Sequence, residues 1–446
     1  MNGFAYDRHR VLAWFQDDIF QRLLKNAGWV FSSNGITTLL GLVGAVFKAR
    51  ALGPEQFGLL AVIMAYSQVI GRFFTLQPWQ ALIKYGAKSL QQERNTEFMG
   101  YVKLTFILDL VSCFLSTIVA IGGAYLYGGW QNWDKNSIEM TIVFSLGLFF
   151  GLSSAPIGVL RLLERFHLLS MNQVLGAVIQ FLGVVFVYLL GGGIWGFLIV
   201  ILISGILRNM HLLFLTYQEL KKAGLYDYRR AAIVNYRQFV RFSWWTYLTS
   251  SISIPIKQLD MIIVSAVISL EAAGIYKIIK QFLQLFNMLV DPIYQAVYPQ
   301  FALNIADGKE KKALKYAGKI ALLTLVVLGP LMLLLTGSSY FWLPGVFGKD
   351  YASGWLPLVV FAIFAFLAFA ASSIHPLFLA MGFVKQNTVI ALVSNAVYLL
   401  LALLLGKKYG LIGLAIAYGW DIIFVGAIKF MYIVNSVGAL KKKRSG

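Results

Sequence analysis

The sequence predicts an all-α polytopic membrane protein of about 12 transmembrane helices, arranged as two pseudo-symmetric six-helix halves. Three observations predict this. Of the 446 residues, 59% are hydrophobic and 13% charged, with a mean hydropathy of +0.72; soluble domains run near 45–50% apolar and about 25% charged. The apolar residues fall into long runs at helical length. The second half of the chain also repeats features of the first at a nearly constant offset.

A helix needs roughly 20 apolar residues to cross about 30 Å of hydrocarbon. Twelve runs meet this, at 27–47, 57–79, 101–127, 138–160, 170–190, 194–217, 242–268, 272–296, 317–336, 355–382, 386–405 and 409–434. No ten-residue alternation argues for a barrel, and no connection is long enough for a soluble domain. Residues 1–26 read as a cytoplasmic amphipathic lead-in: Val11, Leu12, Phe15, Ile19 and Leu23 recur at helical spacing, with no cleavable signal pattern. The first half then spans 27–220, a basic cytoplasmic linker 221–241, the second half 242–434 and a basic cytoplasmic tail 435–446.

The net charge of +19 would suggest nucleic acid in a soluble protein. Here membrane topology explains it, and no nucleic-acid partner is expected. With the N-terminus in the cytoplasm, 26 of the 38 Lys and Arg fall in inner segments and 6 in outer loops, among them Lys48 and Arg50. That asymmetry places both termini inside, and Lys441, Lys442, Lys443 and Arg444 against anionic headgroups. The lone Cys113 excludes an internal disulfide and a cysteine-rich metal site. His9, His167, His211 and His375 lack metal-ligand spacing, so no metal or cofactor is expected and no catalytic motif is seen. Gly191-Gly192-Gly193-Ile194-Trp195-Gly196 follows no strand, and reads as a tight turn between two spans rather than a dinucleotide loop.

The repeat is visible residue by residue. Glu55-Gln56-Phe57-Gly58-Leu59 opens span 2 and Glu271-Ala272-Ala273-Gly274-Ile275 opens span 8, an offset of 216. Gln68 and Gln284 keep that offset; Asn172 and Asn387, and Leu190-Gly191 and Leu405-Gly406, stand 215 apart. Six spans per half is even, so the halves share one orientation and relate through an axis along the membrane normal. A site between them near the midplane is the expectation.

Ala51-Leu52-Gly53-Pro54-Glu55-Gln56-Phe57-Gly58, preceded by Lys25-Asn26-Ala27-Gly28-Trp29, resembles the opening of Wzx-type polysaccharide flippases. These belong to the multidrug/oligosaccharidyl-lipid/polysaccharide exporter superfamily, whose MATE-like architecture the whole chain matches in helix count and repeat layout. Gln77-Pro78-Trp79-Gln80-Ala81-Leu82-Ile83-Lys84-Tyr85-Gly86 departs from it, since relatives usually carry a Gly-Leu-rich stretch there. The resemblance implies a transporter rather than an enzyme, set in a bacterial inner membrane and acting on polyprenyl-diphosphate-linked glycan. Other polysaccharide assembly proteins are candidate partners.

Charges at membrane depth are the sharpest functional signal, because each costs about 2.5–3.5 kcal/mol on insertion scales. Four cations, Arg72, Lys257, Lys277 and Lys280, point to an anion that crosses the membrane. On span 8, Lys277, Gln281, Gln284 and Asn287 share a helical face flanked by Lys280 and Asp291. That face suits a diphosphate and its sugars, although Lys277 could instead snorkel to the near surface. Lys257 stands two residues after Pro255 and three before Asp260, placing it in a kinked helix within reach of that carboxylate. Arg72 fits a substrate path and a snorkelling side chain equally, while Arg208 and Lys429 read as snorkelling. Asp109, Asp291 and Asp421, with Asp260, are candidate proton or sodium coupling sites, or partners for the cations.

Three functions follow. A glycan-lipid flippase fits the excess of bases over acids in the spans. A MATE-like exporter of cationic drugs calls for the opposite excess. A membrane glycan polymerase or ligase needs sizeable charged outer loops, which this chain lacks.

Overall fold

The computed structural model describes residues 18–225, 231, 233–252 and 259–445. The lead-in before Asp18, the kink assigned to Pro255 and Lys257 itself lie outside the described residues. For Asp291 and for the tail from residue 438 to residue 445, only the backbone is described.

The described chain is a succession of helices. The first half holds α1 (Asp18–Phe74), α2 (Trp79–Gln91), α3 (Asn95–Trp130), α4 (Lys135–Leu146), α5 (Ser154–Leu162), α6 (Phe166–Leu189) and α7 (Ile194–Lys222). The second half holds α8 (Tyr236–Ile252), α9 (Asp260–Val267), α10 (Leu270–Ala306), α11 (Glu310–Gly337), α12 (Ser339–Phe347), α13 (Trp355–Ala370), α14 (Ile374–Ala380) and α15 (Val384–Ser445).

Helix α1 is 57 residues long, roughly 85 Å at about 1.5 Å per residue, far more than one crossing. It breaks at Gly53 (φ 68°, ψ 174°), a conformation open to glycine. Pro54 then starts the second limb, where its missing N–H costs nothing. The 62 residues of α15 break likewise at Gly410 (φ 59°, ψ −139°). Each therefore supplies two crossings. With α3, α4–α5, α6, α7, α11 and α13–α14, ten of the twelve expected crossings are found among the described residues as helices long and apolar enough to span a membrane, and α8, α9 and α10 occupy the positions of the expected seventh and eighth. We call the end carrying Gly53 and Gly410 distal, and the opposite end, carrying Lys25 and Val437, proximal.

Two crossings expected to be continuous are interrupted. The fourth passes through a 3-10 turn at Gly147–Phe150 before α5 begins at Ser154, and the tenth breaks between Ala370 and Ile374. These are the fourth helices of the two halves, so the breaks obey the repeat. Backbone groups released inside a membrane must be met by protein. Asn209 Nδ2 donates to the Phe150 carbonyl at 2.9 Å. The Asp109 carboxylate accepts from the Ser154 and Ala155 amides at 2.7 and 3.4 Å. In the second half the hydroxyl of Ser373 donates to the Ala317 carbonyl at 2.8 Å. Span 2 also ends early, at Phe74, and α2 restarts after Pro78 with Gln77 at φ 49°.

The two halves meet chiefly along α1 and α10. A Cβ built on Gly58 would strike the Leu270 carbonyl oxygen and lie 2.8 Å from the Gly274 nitrogen. One built on Gly274 would strike the Pro54 carbonyl oxygen and lie 3.1 Å from the Gly58 nitrogen. Pro54 and Leu270, like Gly58 and Gly274, are 216 apart. Equivalent residues contacting one another reciprocally is the signature of a two-fold axis, which here runs between Gly58 and Gly274. The largest apolar cluster straddles this seam, with Leu60 and Ile63 of α1 against Ile275, Ile279 and Phe282 of α10.

Two expectations about charge are corrected. Lys48, assigned to an outer loop, lies within the first limb of α1 and is buried. The limb runs on to Gly53 because the hairpin turn is a single glycine. Lys429 does not snorkel: it is buried, its Nζ 2.7 Å from His375 Nδ1 and 5.8 Å from the Phe378 ring centroid.

Candidate functional site

The seam gathers several of the predicted residues. Asp260 begins α9, eight residues after the last described residue of α8, and is buried. Lys280 Nζ reaches its two carboxylate oxygens at 2.8 and 3.0 Å. The Tyr276 hydroxyl donates to Oδ2 at 2.5 Å and the Met261 amide to Oδ1 at 2.7 Å. Asp260 is thus saturated by α10 and its own helix. The expected pairing with Lys257 cannot be placed, since Lys257 is outside the described residues; the partner observed is Lys280, twenty residues away in sequence. Two turns of α9 bring Asp260 alongside the first turns of α10, a proximity that chain spacing does not encode.

Lys277 stands on the same helix, half-buried, one turn nearer the distal end than Gln281. Its charge interacts with Lys280, Asp260 and Lys48, and no described residue offers it a hydrogen bond. Gln281 is half-buried with its Oε1 enclosed and without a partner among the described residues. Gln284 and Asn287, further along the face, are exposed. The predicted stripe therefore begins in the seam and emerges from it toward the proximal end.

Lys48 is the residue that sequence reasoning missed. It is 7% exposed, belongs to the first half, and interacts electrostatically with Lys277 of the second. Its neighbours clasp the distal end. Tyr351 donates to the Ala49 carbonyl at 3.4 Å. Arg50 Nε donates to the Val346 carbonyl at 2.7 Å, and Arg50 Nη2 to that of Gly345. The Tyr127 and Ser265 hydroxyls, 3.3 Å apart, add a fourth link between halves at that end. At the proximal end α8 bridges instead: Tyr247 donates to the Phe73 carbonyl, and Phe239 stacks on Tyr101 at 5.5 Å.

The remaining candidates scatter. Arg72 is exposed in the last turn of α1's second limb, and Arg208 is exposed with its stem over Gly176. Asp109 caps α5, which accounts for its burial without a transported ion. Asp421 is buried and accepts from the Ser394 hydroxyl. Its charge and that of Asp260 both act on buried Tyr398, which also lies within hydrogen-bonding reach of Tyr276. Inside the second half Lys280, Asp260 and Tyr276 thus form one hydrogen-bonded group, and Asp421 and Ser394 a second.

Comparison with known proteins agrees with this architecture. The polysaccharide biosynthesis protein family matches residues 23–305, more than half of the chain. Inner membrane protein YghQ of Escherichia coli is 24% identical over 73% of this chain and 96% of its own length. The "Putative O-antigen transporter" of Shigella flexneri is 23% identical, covering 90% of this chain and 95% of its own. An inward-facing multidrug MATE transporter of the MOP superfamily superposes with a TM-score of 0.76 at 14% identity, over 91% of this chain and 96% of that one. The lipid II flippase MurJ, inward closed, superposes at 0.70 with 17% identity, over 92% and 87%. The fold is therefore the all-α MOP type, and the protein is a multi-pass inner-membrane protein. The chain belongs to the polysaccharide biosynthesis protein family.

Proposed function

We propose that this protein is a flippase that carries polyprenyl-diphosphate-linked oligosaccharide, such as an O-antigen repeat unit, across the inner membrane by alternating access. The observation that carries the reading is the cationic seam: Lys48 of the first half and Lys277 and Lys280 of the second lie on the helices α1 and α10 that pack together between the halves, and Asp260 is bonded to Lys280 alone of these three among the described residues. A diphosphate headgroup supplies the missing negative charge, and the polar face through Gln281, Gln284 and Asn287 supplies donors and acceptors for sugars. With both termini cytoplasmic, an inside-negative potential drives the anion outward by about 2.3 kcal/mol per charge per 100 mV.

Coupling to H+ or Na+ would use the buried carboxylates of the second half. Asp260 and Asp421, whose charges both act on Tyr398, are better placed for this than Asp109, whose Oδ2 accepts from a helix terminus. The fold likeness to the multidrug transporter supports a second reading, a MATE-like exporter of cations. The seam's excess of lysines over carboxylates opposes it, because a cationic drug would meet like charge there.

Reconstitution in liposomes separates the two. Inward- and outward-facing fluorescent glycan-lipid is distinguished by quenching, and cationic dye efflux is followed in parallel. Movement of the glycan-lipid, reduced at least tenfold by Lys277→Gln, is expected. Dye efflux without glycan-lipid movement would replace this reading with the drug-exporter one.

A further inference from the structure

The two halves differ at one pair of equivalent places. In the first half, spans 1 and 5 close on each other through rings: Phe47 of α1 stands edge-on to Tyr188 of α6 at 5.1 Å between centroids, and to Phe181 at 6.2 Å. By the offsets of 216 and 215, Phe47 corresponds to Ile263 of α9 and Tyr188 to Leu403 of α15. Without those rings the second half keeps a groove of about 520 Å³ at the distal end. It is walled by Ala266 and Val267 of α9 and by Leu403 and Leu404 of α15, with Lys407 and Lys408 at its rim. The rim differs too, since these lysines stand where the first half has Gly192 and Gly193. Groove and cations belong to one half, where the other has rings and glycines.

Positive charge concentrates at the proximal end, so a cation at the distal end calls for a local reason. Arg50 has one in the Val346 and Gly345 carbonyls, and Lys135 in Glu139 at 3.7 Å. Lys407 and Lys408 form no ion pair with a described carboxylate. Both are exposed, and Lys408 Nζ lies 5.0 Å from the Tyr409 ring centroid. A helix end does not require them either, because α6, the equivalent helix, ends at Leu189 with no basic residue in its last turn. Leu403 and Leu404, also exposed, lie four residues before each lysine and so one turn deeper on the same side of the helix. From the membrane interior outward the order is apolar groove, then paired cations. Acyl chain and phosphate follow the same order in a phospholipid.

We infer that this groove binds an anionic phospholipid of the leaflet at the distal end, with its phosphate on Lys407 and Lys408 and the upper part of one acyl chain between α9 and α15. Charge complementarity selects an acidic headgroup over a zwitterionic one, and the apolar walls select a lipid over free phosphate. Ala266 and Val267 directly follow Ser265, whose hydroxyl lies 3.3 Å from that of Tyr127 in the first half. The bound lipid therefore braces α9 beside a link between the halves. The groove lies outside the seam and its occupancy does not rest on the flippase reading.

The test uses the full-length protein in phosphatidylcholine vesicles carrying a small fraction of photoreactive-chain phosphatidylglycerol or, in parallel, phosphatidylethanolamine. After illumination, lipid adducts are quantified on the peptides that contain Ala266–Val267 and Leu403–Leu404. Labelling by phosphatidylglycerol is expected to exceed that by phosphatidylethanolamine about tenfold, because two lysines face one phosphate. The Lys407→Gln, Lys408→Gln variant is expected to label alike with both lipids, and Lys407→Arg, Lys408→Arg to keep the preference. Ala266→Trp, which fills the groove and leaves the lysines, is expected to lose the adducts; the lysine variants, at exposed positions, decide the matter should it fail to fold. Equal labelling of the wild type by the two lipids, or an undiminished preference in the glutamine variant, overturns the site. Suppression by sodium phosphate beyond that by sodium chloride at equal ionic strength would place a free anion on the lysines and overturns it as well. Displacement of phosphatidylglycerol by an equal amount of undecaprenyl phosphate would replace the phospholipid with a polyprenyl carrier, and overturns the occupant.

Discussion

Lys277 and Lys280 lie within one turn of α10 yet differ in energy. Lys280, with 36% of its side chain exposed, is fixed by an Asp260 carboxylate that is 3% exposed. Breaking a buried pair by removing one partner costs about 3–5 kcal/mol, and less where one member reaches solvent. Lys280→Ala is accordingly expected to lower the unfolding temperature in detergent by an amount equivalent to about 2 kcal/mol. Among the described residues Lys277 has no such hydrogen-bonded partner, so Lys277→Gln removes a charge that none of them pairs directly. Its unfolding temperature should equal or exceed that of the wild type while translocation falls, which scanning fluorimetry and flipping measured on one preparation would show. A loss of stability for Lys277→Gln would mean that the lysine serves the fold. Asp109 supplies a contrasting case. Asn at 109 keeps an oxygen to accept from the Ser154 amide, so Asp109→Asn should translocate normally, whereas Asp109→Ala loses a helix cap worth about 1 kcal/mol. Failure of Asp109→Asn with a normal unfolding temperature would return this carboxylate to an ion-coupling role.

At the level of elements, the seam depends on two glycines. Gly58 and Gly274 let α1 and α10 approach until backbone touches backbone, and a Cβ at either would collide with a carbonyl oxygen of the other helix. Because backbone cannot yield as a flexible side chain can, Gly58→Val and Gly274→Val should hold the distal ends apart. Cross-linking between cysteines at positions 50 and 346 would report this as a drop in yield relative to the glycine parent. An unchanged yield would show that the axis lies elsewhere. The broken fourth helices of the two halves belong to the same level. Gly147, Gly151 and Pro156 hint at the first break in sequence, but an uninterrupted apolar run from 138 to 160 masked it. What permits the break is remote: Asp109 on α3 and Asn209 on α7 receive the freed backbone groups.

For the whole molecule, the sequence carried the architecture because membrane spans are written locally, as runs of apolar residues of one length. The 216-residue offset carried more, since it predicted that spans 2 and 8 are equivalent; the contact of Gly58 with Gly274 is that equivalence in three dimensions. The site was only half legible. The stripe Lys277, Gln281, Gln284 and Asn287 could be read from helical periodicity alone. Lys48 could not, because a turn made by one glycine leaves no polar loop to reveal where the helix ends, and its neighbour Lys277 is 229 residues away. The partner of Asp260 was equally hidden, since Lys257 at i−3 is a nearer candidate in sequence than Lys280. A molecule-wide prediction follows from charge. If a diphosphate crosses from the proximal to the distal face, an imposed inside-negative potential should accelerate glycan-lipid movement in proportion to the net charge carried, up to about 2.3 kcal/mol per charge per 100 mV. Liposomes with valinomycin-set potassium gradients would measure it, and a rate indifferent to potential would argue for an electroneutral cycle.

The central claim is that lysines at the seam hold a diphosphate while it crosses. It is tested most directly by the rate at which reconstituted wild-type protein and the Lys48→Gln, Lys277→Gln double variant move fluorescent undecaprenyl-diphosphate-linked oligosaccharide between leaflets. The account predicts movement by the wild type and at least a tenfold slower rate for the double variant at equal protein density. Equal rates for the two proteins would contradict it.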